Sequence, residues 1–270
     1  MRILVRLSAR MDAEYDNAHH AKLRGRLWGA LRGTGYDDHH DRKEPSPFCF
    51  SLVFPPHDMQ EGDERMVLMA SPEEELLTHV ARDLQDQPEL NVGEMPFTVE
   101  NLQVLSPDVG EPGTQGSLET GTGVVVRIPP WQRETYGIDE GHGDTATFWR
   151  PEHTIEPFRK QVVANLDRKH GLYGPGYGTG PSDVPGDLFE EYVFLKQYAL
   201  PVDVTHGQRM TYVVSKWRFG YTVRDDDHRR HLNLALDCGI GERNALGFGF
   251  LNITEKVGPG GRPAAEVPER

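Results

Sequence analysis

Lysine is scarce in this chain: seven of its 29 basic residues are lysine, set against 42 acidic residues and a formal net charge of −13. A deficit of positive charge on that scale argues against a surface given over wholly to nucleic-acid phosphates, because such binding runs on Lys and Arg. The carboxylates are spread along the chain rather than gathered in a tail. That texture, with arginine in place of lysine, suits the high-salt cytosol of a halophilic archaeon and leaves room for a local basic face. Cysteine is almost missing too. Cys49 and Cys238 stand far apart in apolar surroundings, which excludes a disulfide framework or a paired-cysteine zinc site and leaves two buried free thiols. No apolar run approaches a membrane span, and Met1 to Leu7 is too short and alternating for a signal peptide, so a soluble, cytoplasmic protein is expected. H-E-x-x-H, G-x-S-x-G and a P-loop are all absent, and Asp225-Asp-Asp-His228 has the look of a helix start. No metal and no cofactor is expected.

What is present divides into two units within 270 residues. Residues 2–7 alternate as a strand, and Ala18 to Leu31 has helical spacing with Leu23, Leu27, Ala30 and Leu31 on one face. Strands follow at Phe48 to Phe54 and Arg65 to Ala70. Ser71-Pro72-Glu73-Glu74 has the form of a capping box ahead of a stripe of Leu76, Leu77, Val80, Ala81 and Leu84. A closing strand runs from Phe97 to Leu105. The order strand, helix, strand, strand, helix, strand is ferredoxin-like. A Gly-, Pro- and Ser-rich stretch from Ser106 to about Gly121 is expected to link residues 1–110 (with 111–121 as the linker proper) to a second unit at 122–257. There the order repeats: a strand at Gly123 to Ile128, a helix at Glu156 to Arg168, strands at Tyr192 to Tyr198 and Met210 to Val223, a helix at His228 to Asp237, and a last strand at Phe248 to Thr254. Pro129 to Glu152 and His170 to Gly186 are expected surface loops, and 258–270 a disordered tail. The fold class is α+β, two tandem ferredoxin-like domains.

Between the last helix and strand lies Gly239-Ile-Gly-Glu-Arg-Asn-Ala-Leu-Gly247-Phe-Gly249. Four glycines around one arginine suggest backbone that comes close to a ligand, with N–H groups suited to phosphate. Asn244 stands where a dinucleotide fingerprint needs its third glycine, and a strand rather than a helix follows, so this is no Rossmann loop.

Two ferredoxin-like units ending in this loop resemble the RAMP superfamily of RNA-binding proteins. More narrowly, the chain is similar to the CRISPR-associated endoribonuclease that cuts precursor guide RNA within its repeats. His40-Asp41, a polar run and then Pro47-Phe48-Cys49-Phe50-Ser51 match the family segment in which a histidine–acid pair precedes an aromatic strand. The resemblance implies a catalytic role for His40, with the adjacent His39 a competitor. It sets Ser46 where some relatives carry a catalytic lysine, a role for which Lys43 is near enough to substitute, and Trp28 where they carry a tyrosine. It also implies RNA contact by Gly239, Gly241, Arg243, Asn244, Gly247 and Gly249. Arg243 is the strongest of these, since a guanidinium can grip phosphate bidentately or stack on a base.

Metal-independent RNA cleavage needs a 2′-hydroxyl deprotonated, a 5′-oxygen protonated and phosphate charge offset. A histidine can serve the first two, and Lys43, Arg42 or Lys22 the third. Basic clusters on the first helix (Lys22, Arg24, Arg26, Arg32) and on Glu156–Arg168 (Arg159, Lys160, Arg168, with Lys169 beside them) are further candidates for holding RNA. Taken alone, each is as well explained by a solvated helix face. His19 and His20 are expected to be exposed cap-region residues. The implied function is cleavage of CRISPR repeat RNA, leaving a 2′,3′-cyclic phosphate and a 5′-hydroxyl, with other CRISPR effector subunits as further partners. The rival is a non-catalytic RNA-binding RAMP subunit of an interference complex, and a small-molecule-binding ferredoxin-like domain stands third.

Overall fold

Alternation along Arg2–Ala9 (β1) puts Ile3, Val5, Leu7 and Ala9 on one buried face, and the strand so formed is the centre of the first sheet. It pairs antiparallel with β3 (Glu64–Ala70) on one side and β5 (Met95–Leu105) on the other. A two-residue β2 (Cys49–Phe50) and a hairpin strand β4 (Glu89–Val92) complete the order β2-β3-β1-β5-β4. Helices α1 (His19–Ala30) and α2 (Glu74–Asp86) close the core over this face with Leu23, Leu27, Leu76, Leu77, Val80 and Leu84. In this computed structural model the described residues are 1–16, 19–37, 44–139, 146–174, 179–203 and 209–259.

The second sheet runs β11-β6-β10-β9, from β6 (Gln115–Thr120), β9 (Glu191–Asp203), β10 (Arg209–Thr222) and β11 (Leu251–Val257). Helices α4 (Glu156–Tyr173) and α5 (Asp226–Cys238) bury Phe158, Val162, Leu166, Leu232, Ala235 and Leu236 in its core. Numbering each unit's strands one to four, both sheets place the fourth beside the first, then the third and second. These are two ferredoxin-like domains in tandem. Between β6 and α4, β7 (Arg127–Ile128) pairs with β8 (Thr147–Phe148), and α3 (Pro130–Arg133) follows β7.

The expected linker at 111–121 is where the structure differs most from the sequence reading, because β6 fills its second half and is an inner strand of its sheet. Its small residues serve close packing: a Cβ on Gly116 would stand 2.6 Å from the Tyr221 hydroxyl oxygen. The stretch expected as the first strand contributes instead the single bridges Val124 to Ser215 and Val125 to Glu242, then β7. The capping box also resolves differently. Ser71 Oγ accepts the Glu73 N–H (2.9 Å) and donates to the Pro47 carbonyl (2.6 Å), tying the approach of α2 to the chain entering β2, and the helix begins at Glu74.

Arg2 bolts the domains together. Its buried guanidinium donates to the Leu236 carbonyl (3.0 Å) and the Leu251 carbonyl (2.6 Å) and lies 4.5 Å from the centre of the Phe250 ring. Each buried charge-assisted bond of this kind is worth roughly 1.5–3 kcal/mol, so the two domains are held as one body at this seam. Among the described residues no helix is long and apolar enough to cross a membrane.

Candidate nucleic-acid interface at the glycine-rich loop

The loop from Gly239 to Gly249 is packed rather than open. Gly239, Gly241, Gly247 and Gly249 are all buried and all at positive φ. At Gly249 (φ 70°) a Cβ would collide with the Ile240 carbonyl oxygen, and at Gly247 with the Phe50 ring. Asn244, 4 % exposed, spans the loop from inside, its Nδ2 donating to the carbonyls of Ile240 (3.1 Å) and Phe248 (2.9 Å). The amides of Ile240, Glu242 and Gly249 donate to Gly249, Val125 and Gly123 carbonyls, and those of Leu246 and Gly247 bond within the loop. These glycines and Asn244, expected as RNA contacts, therefore shape the loop from within. Gly249→Ala is expected to destabilise the fold by at least about 1–3 kcal/mol from the positive φ alone, measured by denaturant unfolding.

One residue in this stretch faces outward. Arg243 is the only exposed residue between 239 and 250, and it takes the left-handed conformation (φ 61°), an uncommon one for a residue with a side chain. Arg24 on α1 is close enough that the like charge of Arg243 is, after burial, the main influence lowering its guanidinium pKa. Its Nε is buried without a hydrogen-bond partner among the described residues. Arg168 lines a hollow of about 70 Å³ with Gly241 and Glu242, while Glu242 itself is committed to Arg127, whose Nε lies 2.7 Å from its carboxylate. The other expected cations are placed differently. Lys22 is exposed on α1. Arg26 is ion-paired with Asp83, joining α1 to α2. Lys160 is exposed with its Nζ 5.4 Å from the Tyr136 ring centre, in a groove of about 340 Å³ shared with Glu156, Arg159 and Asp167 on the outer side of α4. Lys169, adjacent to Arg168, is wholly buried and donates to the carbonyls of Gly239 (2.8 Å) and Gly241 (3.0 Å), so it is not part of an outward basic face.

The loop docks on α1 through histidine. His19 and His20, expected at the surface, are 1 % and 3 % exposed: His20 packs under the loop, and His19 between Tyr15 and His20. His20 Nδ1 lies 2.7 Å from the Leu246 carbonyl oxygen, so Nδ1 carries the proton, and its ring stacks between His19 and Phe248 at centroid distances of 4.4 and 5.4 Å. Burial first, and the neighbouring His19 second, push the His20 pKa down to about 4. The folded protein thus keeps this ring neutral where the unfolded chain, at about 6.5, takes up a proton. Stability is therefore full above about pH 6.5 and lost as pH falls toward about 4, by on the order of 3 kcal/mol. Melting of His20→Gln against pH is expected to lack that acid limb.

Trp28 is 7 % exposed and packs edge-on to Phe48 at 5.1 Å, a core residue of the first domain. His39, His40, Arg42 and Lys43 lie outside the described residues. The chain just after them is anchored beside the loop: the Tyr173 hydroxyl donates to the Pro45 carbonyl at the end of α4, and Phe50 packs on Gly247. Asp225 caps α5, its Oδ1 accepting the His228 N–H at 2.7 Å, and His228 Nε2 sits 2.9 Å from the Leu188 carbonyl; the acidic run is a helix start, as its sequence suggested.

Tandem ferredoxin-like domains with a closed glycine-rich loop before the last strand define the class of fold to which this chain belongs. The model for the C-terminal part of the CRISPR-associated protein Cas6 matches residues 111–253. The chain is 56 % identical over 260 residues to the CRISPR-associated endoribonuclease Cas6 of Haloferax mediterranei, covering 96 % of both, and 24 % identical to CRISPR-associated endoribonuclease Cas6 2 of Methanocaldococcus jannaschii over 93 % of this chain and 99 % of that one. This chain belongs to the Cas6 family. Its fold is also that of a solved CRISPR-associated protein Cas6 (TM-score 0.68, 17 % identity, 94 % of this chain and 99 % of the other) and of a RAMP protein described as binding different RNA substrates (0.65, 16 %, 94 % and 100 %). The Haloferax relative comes from a halophilic archaeon, in keeping with the acidic, arginine-rich composition.

Proposed function

We propose that this protein is an endoribonuclease that cleaves CRISPR repeat RNA by attack of the ribose 2′-hydroxyl, without metal, leaving a 2′,3′-cyclic phosphate and a 5′-hydroxyl. The observation that carries the reading is the pair of Arg243, the loop's one exposed side chain, and Arg24 of the facing helix, on a chain 56 % identical to a curated endoribonuclease. Two guanidiniums near enough to feel each other's charge, in an acidic protein, form a local phosphate site. They hold the backbone of the repeat. His40 stands five residues before Pro45 in the segment that leads into β2, whose Phe50 packs on Gly247 of the loop. In this reading His40 takes the 2′-hydroxyl proton and returns one to the departing 5′-oxygen, and Lys43 faces the phosphate. Trp28, packed on Phe48, fixes the helix from which that segment departs.

Incubation of the full chain with the repeat RNA encoded beside its gene, in high salt and chelator, tests this. One cut per repeat, with a cyclic phosphate on the upstream product, is expected. Binding without cutting would assign the chain to the non-catalytic RAMP subunits instead.

A further inference from the structure

We infer that Lys169 is a positioning residue of the RNA site: its ammonium, sealed under the glycine-rich loop, sets the entry turn from which Arg243 projects. The inference rests on the RNA-binding reading of that loop.

A lysine with no exposed surface is costly to bury, and the same volume on α4 could be filled by methionine or leucine. What the ammonium does in return is specific. Nζ donates at 2.8 and 3.0 Å to the carbonyls of Gly239 and Gly241, the two residues flanking Ile240, and both glycines are in the left-handed region at φ 74° and 67°. These two positive-φ glycines, one residue apart, both offer their carbonyls to one donor. Cys49 and Cys238 adjoin the site, the Cys238 thiol lying 3.7 Å from the Gly239 carbonyl, and neither supplies a donor as strong as the ammonium. Directly after Gly241, the Glu242 amide bonds to Val125 and its carboxylate holds Arg127, and the next residue is Arg243. The chain of contact is therefore short: Lys169 fixes Gly239 and Gly241, they fix the register of Glu242, and that fixes where Arg243 leaves the surface. Burial lowers the pKa of the ammonium, and Glu242 is the one acidic side chain among the groups that oppose that shift.

The test is a double-mutant cycle on the full chain, with Lys169→Met and Arg243→Ala, reading repeat-RNA affinity and the cleavage rate at saturating RNA. Lys169→Met is expected to weaken RNA binding about tenfold, and by no more than Arg243→Ala does, while the saturated rate stays within about threefold. In the Arg243→Ala background the same substitution is expected to change affinity by less than about twofold, because its effect runs through that arginine. Additive losses, or an unchanged affinity in Lys169→Met, would overturn the assignment. Should Lys169→Met fail to fold, Lys169→Arg keeps a cation there but presents a broader, planar donor; the same cycle then applies with the same outcomes. If Arg243→Ala itself leaves RNA affinity untouched, the RNA reading of the loop fails first, which separates the two conclusions.

Discussion

Replacing His40 with alanine is expected to lower the cleavage rate by about 10²–10⁴-fold, the ordinary contribution of a positioned acid–base group, and to leave repeat-RNA affinity within about threefold of the parent. The split follows from a division of labour. In the proposed function Arg243 of the loop and Arg24 meet the phosphates, while His40 acts on protons. A general acid–base acts on protons that move only as the transition state forms, so its loss falls on the saturated rate and not on binding. Single-turnover cleavage with filter binding on the same preparation measures both. Equal loss in both quantities would mean that the substitution has disturbed the segment, and undiminished cutting would move the role to His39. His20 is a poor substitute: its ring is held neutral by burial, with Nδ1 committed to the Leu246 carbonyl.

The second large effect is expected from the arginine pair. Arg243→Ala and Arg24→Ala should each weaken binding by about 1–3 kcal/mol, and each phosphate deprived of its cation should reduce the slope of affinity against salt by about one. If both grip one phosphate, the double variant loses less than the sum. The effect should be greatest at low ionic strength, where charge is least screened. Arg26→Ala is the control, since its guanidinium is spent on Asp83; it should cost stability between α1 and α2 and leave RNA affinity nearly unchanged. An unchanged salt slope in Arg243→Ala would take RNA off the loop.

Much of this fold can be read directly from residue spacing. The alternation of Ile3, Val5, Leu7 and Ala9, and the four-residue spacing of Phe158, Val162 and Leu166, each decide an element, and the ferredoxin order follows from their sequence. β6 was hidden because Gln115-Gly-Ser-Leu-Glu-Thr120 has few large apolar residues; at Gly116 its neighbours β10 and β11 leave no room for a side chain, and composition alone then resembles a linker. The site was legible by position more than by role. Glycines clustered around Arg243 mark a loop with unusual backbone, but the sequence does not say whether that backbone approaches a ligand or the protein's own carbonyls. Here it approaches Ile240, Phe50 and Val125. Arg168 and Lys169 show the same limit at one helical step. Consecutive residues point about 100° apart, so one lines the hollow beside the loop and the other is buried under it, although in the sequence they form a single basic pair.

The most direct test of the central claim is cleavage of a repeat RNA carrying a single 2′-deoxyribose at the cut position, in chelator and high salt, beside the all-ribose substrate. Attack by the neighbouring hydroxyl predicts that the deoxy RNA binds as tightly as its parent and is not cut, while the parent yields a 2′,3′-cyclic phosphate. Cleavage of the deoxy RNA at that same bond would contradict the account.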